Sequence, residues 1–160
     1  KFKNLKYFLF NQKSMTEPFH KIKKEFNYDN LFIMDNFSEI LNEKYDFVNF
    51  GSCIQYFDNY EELLNEICKK TKSIFFSGTH LYNSSNKNFE KNIVVKQLNV
   101  LPQVNYNFFF NRNYFFEIFK KNNFKLLFED LNLTDRVNYE NFESYLENIQ
   151  YSDFLFLKDE

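Results

Sequence analysis

Glycine is scarce in this sequence, with two residues among 160, Gly51 and Gly78. A glycine-rich turn, which lets the backbone approach a phosphate or a cofactor closely, is therefore absent. Phosphate loops and the G-x-S-x-G nucleophile elbow are absent for the same reason. The chain also has two histidines and two cysteines, whose separation gives no metal-ligand spacing. These shortages exclude P-loop nucleotide enzymes, elbow-type serine hydrolases and a zinc centre as hypotheses from sequence.

Charge of one sign and long apolar runs are lacking too. Lys+Arg 20 against Asp+Glu 22 leaves a formal net charge of -2. The densest basic cluster, formed by Lys21, Lys23 and Lys24, is typical of a solvated helix face. Every apolar run is far shorter than the roughly 20 residues of a membrane-spanning helix. We therefore predict neither a nucleic-acid partner nor a membrane span.

The two cysteines, Cys53 and Cys68, each fall within an apolar pattern, and the chain is too long and too poor in cysteine for a disulfide scaffold. They are predicted to be buried thiols in a reducing compartment, which indicates the cytoplasm. The 24 Phe and 11 Tyr lie mostly on periodic apolar faces, so they are predicted to fill the core rather than to stack on a ligand.

Short apolar strands alternate with amphipathic helices along most of the chain. Strands are predicted at 5–10, 31–34, 45–50, 73–76, 124–128 and 153–157, and helices at 16–26, 37–41, 59–68, 112–122 and 142–149. Asn59 and Glu62 are predicted to form a capping box at the start of the third helix. Residues 81–91 are predicted to be a mobile loop, followed by a short extended segment at 93–95.

Four strand-to-helix alternations, a further helix and two closing strands predict an α/β domain of the Rossmann-like class. Its sheet is expected to be mostly parallel, with helices on both faces and right-handed crossovers. The last two strands lack a connecting helix long enough for a comfortable crossover, so the last strand is expected to be antiparallel. The length is that of one domain, and residues 1–160 are predicted to form a single domain.

Three stretches of the sequence resemble a known family. They are Tyr45–Asp58 (YDFVNFGSCIQYFD), Ser77–His80 (SGTH) and Lys96–Pro102 (KQLNVLP), with Tyr106 after the third. Through them the chain, from Leu5 to Leu157, is similar to class I S-adenosylmethionine-dependent methyltransferases found among bacterial surface-polysaccharide genes. The resemblance implies S-adenosylmethionine as the cofactor and a hydroxyl of a sugar or glycan precursor as the methyl acceptor.

The family's first strand ends in a glycine-rich turn, and this chain resembles the family only from the second strand onward. The N-terminal glycine-rich βα unit is thus expected to be absent and the domain to be N-terminally truncated. The isolated chain is accordingly expected to be inactive. A missing N-terminal segment or a partner polypeptide is expected to supply the first strand, because an open sheet edge favours strand pairing.

Ligands of open α/β sheets bind beyond the carboxyl ends of the strands, so residues that end strands are the candidates for cofactor binding. Asn11 stands where the resemblance implies a carboxylate that holds the ribose hydroxyls, although asparagine is also a common turn residue. Asp35 is a candidate acceptor for the adenine amine or, equally, Asp35-Asn36 is a helix cap for the next turn. Ser52, after the central strand, is the third cofactor candidate.

Gln55 and Tyr56 follow Ser52 in the loop where, by the resemblance, the transferred methyl group lies. His80, after the fourth strand, is a candidate general base toward the acceptor hydroxyl. The competing interpretation of His80 is an exposed loop histidine, since no carboxylate lies near it in sequence. His20 is predicted to lie on a helix surface.

Two functions compete at this point. The leading hypothesis is a methyltransferase that works chiefly by proximity and orientation, without a metal. The competing hypothesis is a degenerate, non-catalytic α/β module that serves as a partner or scaffold domain in a larger biosynthetic protein. The loss of the ribose carboxylate motivates this second hypothesis.

Overall fold

The computed structural model describes residues 5–11, 13–83, 92–100, 103–131 and 147–159. The chain divides into two compact units, Lys1–Lys44 and Tyr45–Glu160. The single domain predicted over residues 1–160 stays a prediction.

The first unit alternates strands and helices. Its elements are β1 (Tyr7–Phe10), α1 (Lys13–Glu25), β2 (Leu31–Met34) and α2 (Phe37–Asn42). The two strands pair in parallel, from Tyr7 opposite Leu31 to Phe10 opposite Met34, which requires the α1 crossover between them. Asn27 adopts the left-handed region with φ 51°, and this conformation follows the end of α1 as in a C-terminal cap.

The second unit is a sheet with helices. Its elements are β3 (Tyr45–Gly51), a single 3-10 turn (Ile54–Tyr56), α3 (Tyr60–Lys70), β4 (Thr71–Asn83), β5 (Ile93–Val100), β6 (Gln103–Asn111), α4 (Arg112–Lys121), β7 (Phe124–Leu131) and β8 (Glu147–Lys158). Within the described ranges the strand order is β5-β6-β4-β8-β7, and β3 pairs with β4 as well. β4 is parallel to β3 along its first half and to β6 at Leu81 and Tyr82.

The predicted Rossmann-like α/β class is confirmed. Parallel pairing occurs where a helix separates consecutive strands, as in β1-α1-β2 and β3-α3-β4. The antiparallel last strand is confirmed as well, since β8 runs against β4 with Ile74 opposite Phe156. β7 also pairs antiparallel with β8.

The fourth strand was predicted to end at Phe76, and this is wrong, because β4 continues to Asn83. Gly78 has φ 57° and lies where the pairing of β4 with β8 shifts register, between Phe76 and Thr79. The glycine therefore makes an irregularity within the strand and does not terminate it. The mobile loop predicted at 81–91 is wrong at 81–83, and residues 84–91 lie outside the described residues.

Residues 103–111, for which no element was predicted, form β6, and the segment predicted at 93–95 is the beginning of β5. The two strands make an antiparallel hairpin. Asparagine is unfavourable in strands, so the long-range pairing with β4 and β5 prevails over the local preference of the asparagine-rich β6. The helix predicted at 142–149 is wrong at 147–149, which belong to β8, whereas 142–146 lie outside the described residues.

The helix starts differ in part from the prediction. Asn59 is the N-cap of α3, but its side chain makes no capping hydrogen bond, so the predicted capping box with Glu62 is wrong. In α4 the side-chain oxygen of Asn111 accepts hydrogen bonds from the backbone N–H groups of Asn113 and Tyr114. This cap connects the end of β6 directly to the helix.

Phenylalanine rings fill the core of the second unit. The Phe76 ring centroid lies 4.8 Å from that of Phe154, 5.0 Å from Phe50, 5.4 Å from Phe119 and 5.5 Å from Phe115. Stacked and edge-on pairs at these distances are the favourable arrangements of aromatic side chains. The predicted role of phenylalanine in packing is thus confirmed. The aromatic core holds β4 in place as far as Phe76, and polar residues begin at Ser77.

Candidate functional site

In the first unit, two predicted cofactor residues follow neighbouring strands. Asn11 comes directly after Phe10 and Asp35 directly after Met34, and these two preceding residues are partners in the parallel pair β1-β2. The two polar residues therefore lie side by side at the carboxyl edge. Asp35 is exposed, and its Oδ1 atom lies 3.9 Å from Nε2 of His20, whose side chain is exposed as predicted.

The N-cap of α2 is Asn36, the second residue of the Asp35-Asn36 pair, and its side chain makes no capping hydrogen bond. The Nδ2 group of Asn36 donates to the Glu39 carboxylate at 2.9 Å. Asp35 is therefore not the N-cap, and its carboxylate lies near His20 instead. Its cofactor role and that of Asn11 stay predictions.

In the second unit, the turn after β3 is fixed against β4. Ser52 adopts a positive φ of 49°, its backbone N–H donates to the Ser77 carbonyl at 2.9 Å, and its hydroxyl donates to the same carbonyl at 3.2 Å. A Cβ atom on Gly78 would lie 2.3 Å from the Ser52 hydroxyl oxygen. The Gly78 N–H donates to Asp153 Oδ1 at 2.8 Å. Two positive-φ residues on adjacent strands are thus interlocked, a strained arrangement of the kind that clusters at functional sites.

Gln55 and Tyr56 lie in the 3-10 turn that follows. Gln55 is buried, and its Nε2 group donates to the Ser52 carbonyl at 3.1 Å. Its Oε1 atom is buried and has no hydrogen-bond partner among the described residues. Tyr56 is exposed, and its hydroxyl donates to Gln97 Oε1 at 3.1 Å. The sequence prediction that Ser52, Gln55 and Tyr56 form one cluster agrees with these contacts, whereas their chemical roles stay predictions.

His80 lies within β4 and is 2% exposed, so the competing interpretation of an exposed loop histidine is wrong. Its ring centroid lies 4.6 Å from that of Phe109 and 4.1 Å from that of Tyr151. Burial lowers the pKa of His80 to about 4. The ring is therefore neutral at pH 7, and it is a weak base. The Nδ1 atom finds no partner in the part of the chain that the structure describes.

Two polar residues near this cluster were missed by the sequence reasoning. The Nδ2 group of Asn107, on β6, donates to Gln97 Oε1 at 3.0 Å, so the Gln97 oxygen accepts from Asn107 as well as from Tyr56. Thr79, beside His80 on β4, is fully buried. Polar and apolar residues alternate along 97–107, and this pattern could have indicated these polar positions. Because β6 was not predicted, the pattern could not be related to a strand face.

The two cysteines do not form a disulfide bond. Both cysteines are free, and burial raises the pKa of Cys53 to about 11 and that of Cys68 to about 12, so both are protonated thiols at neutral pH. Among the described ranges there is no group of three residues that could hold a metal ion. Those ranges likewise contain no helix long and apolar enough to cross a membrane.

Comparison with solved structures identifies the fold. The N-terminal domain of EvdMO1, solved with S-adenosylhomocysteine bound, matches 96% of this chain with a TM-score of 0.62 at 12% sequence identity. This is the methyltransferase form of the Rossmann-like fold. The same domain was also solved in the presence of S-adenosylhomocysteine and D-fucose, with an equal TM-score of 0.62. The chain spans 64% of the first structure and 65% of the second.

Two solved methyltransferases show the same likeness in fold. Magnesium protoporphyrin IX methyltransferase (ChlM) from Synechocystis PCC 6803, with bound S-adenosylmethionine, matches 95% of this chain with a TM-score of 0.59 at 10% identity, and the chain spans 59% of it. A S-adenosylmethionine-dependent methyltransferase from Clostridium acetobutylicum matches 97% with a TM-score of 0.57 at 8% identity, over 76% of its own length. No family model and no curated protein sequence matches this chain.

Proposed function

We propose that this chain is the methyl-transfer part of a S-adenosylmethionine-dependent methyltransferase whose acceptor is a hydroxyl of a sugar or glycan precursor. The observation that carries the proposal is the interlocked turn after β3, which holds Ser52, Gln55 and Tyr56 together at the carboxyl end of a strand that pairs in parallel with β4, in a methyltransferase fold. Ligands of such sheets bind at this edge. The crystallisation of the EvdMO1 domain with D-fucose supports a sugar acceptor.

The first unit fits the nucleoside part of the cofactor. Asn11 and Asp35 follow partnered residues of β1 and β2, so an amide and a carboxylate stand side by side. An asparagine amide can bond ribose hydroxyls, and a carboxylate can accept from the adenine amine. Ribose and adenine are adjacent in one molecule, as these two residues are adjacent in the sheet. The two glycines of the sequence, Gly51 and Gly78, both belong to strands of the second unit, so neither supplies a cradle for the cofactor's amino-acid end.

The second unit fits the acceptor. Bound S-adenosylmethionine supplies an electrophilic methyl group, and the residues of the chain need to hold a hydroxyl in line with it. Tyr56 and Gln55 are proposed to orient that hydroxyl, and the contact of Gln55 with the Ser52 carbonyl and that of Tyr56 with Gln97 support this proposal. His80, which is neutral at pH 7, is proposed to take the hydroxyl's proton at Nδ1. Its low pKa makes it a weak base, so orientation contributes more than proton transfer.

An isotope-transfer assay tests the proposal. The complete gene product is incubated with S-adenosylmethionine labelled in the methyl group and with neutral monosaccharides, D-fucose first. We expect label in the sugar, a slower transfer for Tyr56→Phe, and an unchanged transfer for Tyr106→Phe, which alters an exposed tyrosine that makes no contact with Gln97. Label that stays in S-adenosylmethionine with every sugar would contradict the acceptor class.

The second candidate function is a non-catalytic module, which the uncharged Asn11 favours. If the chain retains a ribose position, Asn11→Glu should strengthen the binding of S-adenosylhomocysteine by restoring a charged acceptor. Asn42→Glu, which adds the same charge at an exposed position of α2, is the matched control. Equal affinity of both variants would favour the non-catalytic module.

A further inference from the structure

The β5-β6 hairpin is amphipathic, but its buried side includes an amide, Asn107, whereas several of its apolar side chains are exposed. Its residues alternate between two faces, and Val95 lies opposite Asn107 and Gln97 opposite Asn105. We call one of these two faces the polar face, which holds Gln97, Asn105 and Asn107. It is directed inward at Asn107, which is 3% exposed, and at Phe109, whose ring stacks on His80.

The opposite face of the hairpin is apolar and open. Its apolar members are exposed by 61% for Val94, 57% for Leu98, 42% for Val104 and 63% for Tyr106. A hairpin that only served to cover a core would carry the reverse pattern, with apolar side chains inward. The burial of the Asn107 amide therefore calls for an explanation other than packing.

Several buried polar atoms of β4, β6 and the 3-10 turn lack partners among the described residues. Asn107 Oδ1, Gln55 Oε1, Thr79 Oγ1 and His80 Nδ1 are all buried, and none has a hydrogen-bond partner among the residues that the structure describes. These side chains are between 97% and fully buried, as their exposures of 3%, 2%, 0% and 2% show. An unmade hydrogen bond of a buried polar group costs about 1 to 3 kcal/mol. Thr79 and His80 are consecutive in β4, so their side chains lie on opposite faces of the strand. Asn107 and Phe109 share a face of β6, and Phe109 stacks on His80, so Asn107 Oδ1 and His80 Nδ1 point to a ligand on this side that forms hydrogen bonds with them.

The cluster carries no charge of its own. Its members are amides, hydroxyls and a histidine that burial keeps neutral. Lys96 lies on the opposite face of the hairpin, and the carboxylate of Asp153 accepts from the Gly78 N–H. A phosphate or carboxylate bound at the polar face would thus lose its water without gaining an ion pair. Hydroxyl groups, which both donate and accept, match the unpartnered atoms.

We propose that Tyr56, Gln97 and Asn107 form the subsite that binds the acceptor, and that this subsite takes a neutral polyhydroxylated ring. That the bound ring is the methyl acceptor rests on the proposed function, whereas the binding of the ring does not require the methyl donor. Tyr56 is 43% exposed and forms the outer rim of the subsite, and Asn107 forms its buried end. The Gln97 carbonyl oxygen joins the two, since it accepts from both.

Nuclear magnetic resonance on the ¹⁵N-labelled chain tests the subsite. The side-chain amide signals of Gln97 and Asn107 are assigned by their loss in Gln97→Glu and Asn107→Asp. The probes are D-fucose and D-galacturonate, which share ring stereochemistry and differ by a neutral methyl against a carboxylate. We expect D-fucose to shift both amide signals saturably in the millimolar range, and D-galacturonate to bind at least about tenfold more weakly.

Variants sharpen the outcome. Tyr56→Phe and Gln97→Glu alter partly exposed positions, so they report even if the buried charge of Asn107→Asp prevents folding. Both should weaken D-fucose binding at least about fivefold, whereas Tyr106→Phe, on the opposite face of the hairpin, should not. Unmoved amide signals, equal binding of the two sugars, or an unaffected Gln97→Glu would each overturn the subsite.

A titration with S-adenosylhomocysteine in the same sample separates the two proposals. Binding of S-adenosylhomocysteine without any sugar-induced shift overturns the subsite and leaves the methyltransferase proposal standing. Sugar-induced shifts without S-adenosylhomocysteine binding support the subsite and count against the methyltransferase.

Discussion

Ser52 and Gly78 are interlocked across β3 and β4, each with a positive φ, and the Ser52 hydroxyl occupies the space that a side chain at position 78 would need. This contact fixes the turn that presents Gln55 and Tyr56. It also explains why Gly78 stands in the interior of a strand, where glycine is usually unfavourable.

Gly78→Ala should therefore destabilise the protein. The new Cβ atom would lie 2.3 Å from Ser52 Oγ at a backbone φ of 57°. We expect a loss of about 2 kcal/mol in the free energy of unfolding, measured by urea denaturation. Gly51→Ala is the control, because its Cβ meets Ser77 Oγ at 4.0 Å, an ordinary contact. Equal stability of the two variants would show that the interlock does not exist.

His80 should make stability dependent on pH. Its pKa is lowered from 6.5 to about 4, so the unfolded chain binds the proton more readily than the folded chain. The stabilisation by neutral His80 is present above pH 6.5 and is lost as the pH falls toward 4, by about 3 kcal/mol in total. His80→Asn should flatten this part of the stability profile.

The control for this pH dependence is His20→Asn, which removes the other, exposed histidine. It leaves His80 in place, so the loss of stability between pH 6.5 and 4 should remain. A direct check is the chemical shift of the His80 ring protons, whose midpoint should lie near pH 4. A midpoint at the ordinary histidine value would mean that the ring is solvated.

The two asparagine N-caps should contribute unequally to the free energy of unfolding. Asn111→Ala removes the acceptor for two backbone N–H groups of α4, so it should cost about 1 kcal/mol of unfolding free energy. Asn59→Ala at the start of α3 should cost much less, because that side chain makes no capping hydrogen bond. Thermal or urea unfolding measures both, and the reverse order of the two losses would contradict the caps described above.

The Arg112–Glu129 ion pair should couple more strongly than an exposed pair. Arg112 Nε donates to Oε1 at 3.1 Å and its terminal nitrogen to Oε2 at 2.5 Å, with side chains that are 32% and 23% exposed. A double-mutant cycle to alanine should give a coupling of about 1 to 2 kcal/mol. The Lys72–Asp46 pair, 76% and 89% exposed, should give less than about 0.5 kcal/mol.

Much of the fold follows from local patterns. Strands β1, β2 and β3 and helix α3 were predictable because each has a short apolar run or a helical apolar stripe that packing then uses. β6 was not predictable, because its asparagines disfavour a strand locally and its stability comes from pairing with distant β4 and β5. Residues 147–149 join β8 for the same reason, through Glu147 opposite Asn83.

The candidate site divides in the same way. Ser52, Gln55 and Tyr56 are contiguous and follow a predictable strand, so the sequence brings them together by itself. His80 lies beyond the strand predicted at 73–76, because its place within β4 and its burial depend on Phe109 and Tyr151 from other strands. Asn107 could not be assigned at all, since only the hairpin register places it beside Gln97.

Calorimetric titration of S-adenosylhomocysteine into the complete gene product tests the central claim most directly. Binding of this product-like ligand requires neither an identified acceptor nor catalytic turnover. The methyltransferase proposal predicts a saturable heat with one ligand bound per chain and weaker binding by Asp35→Ala than by the native protein. No heat at millimolar ligand would contradict it.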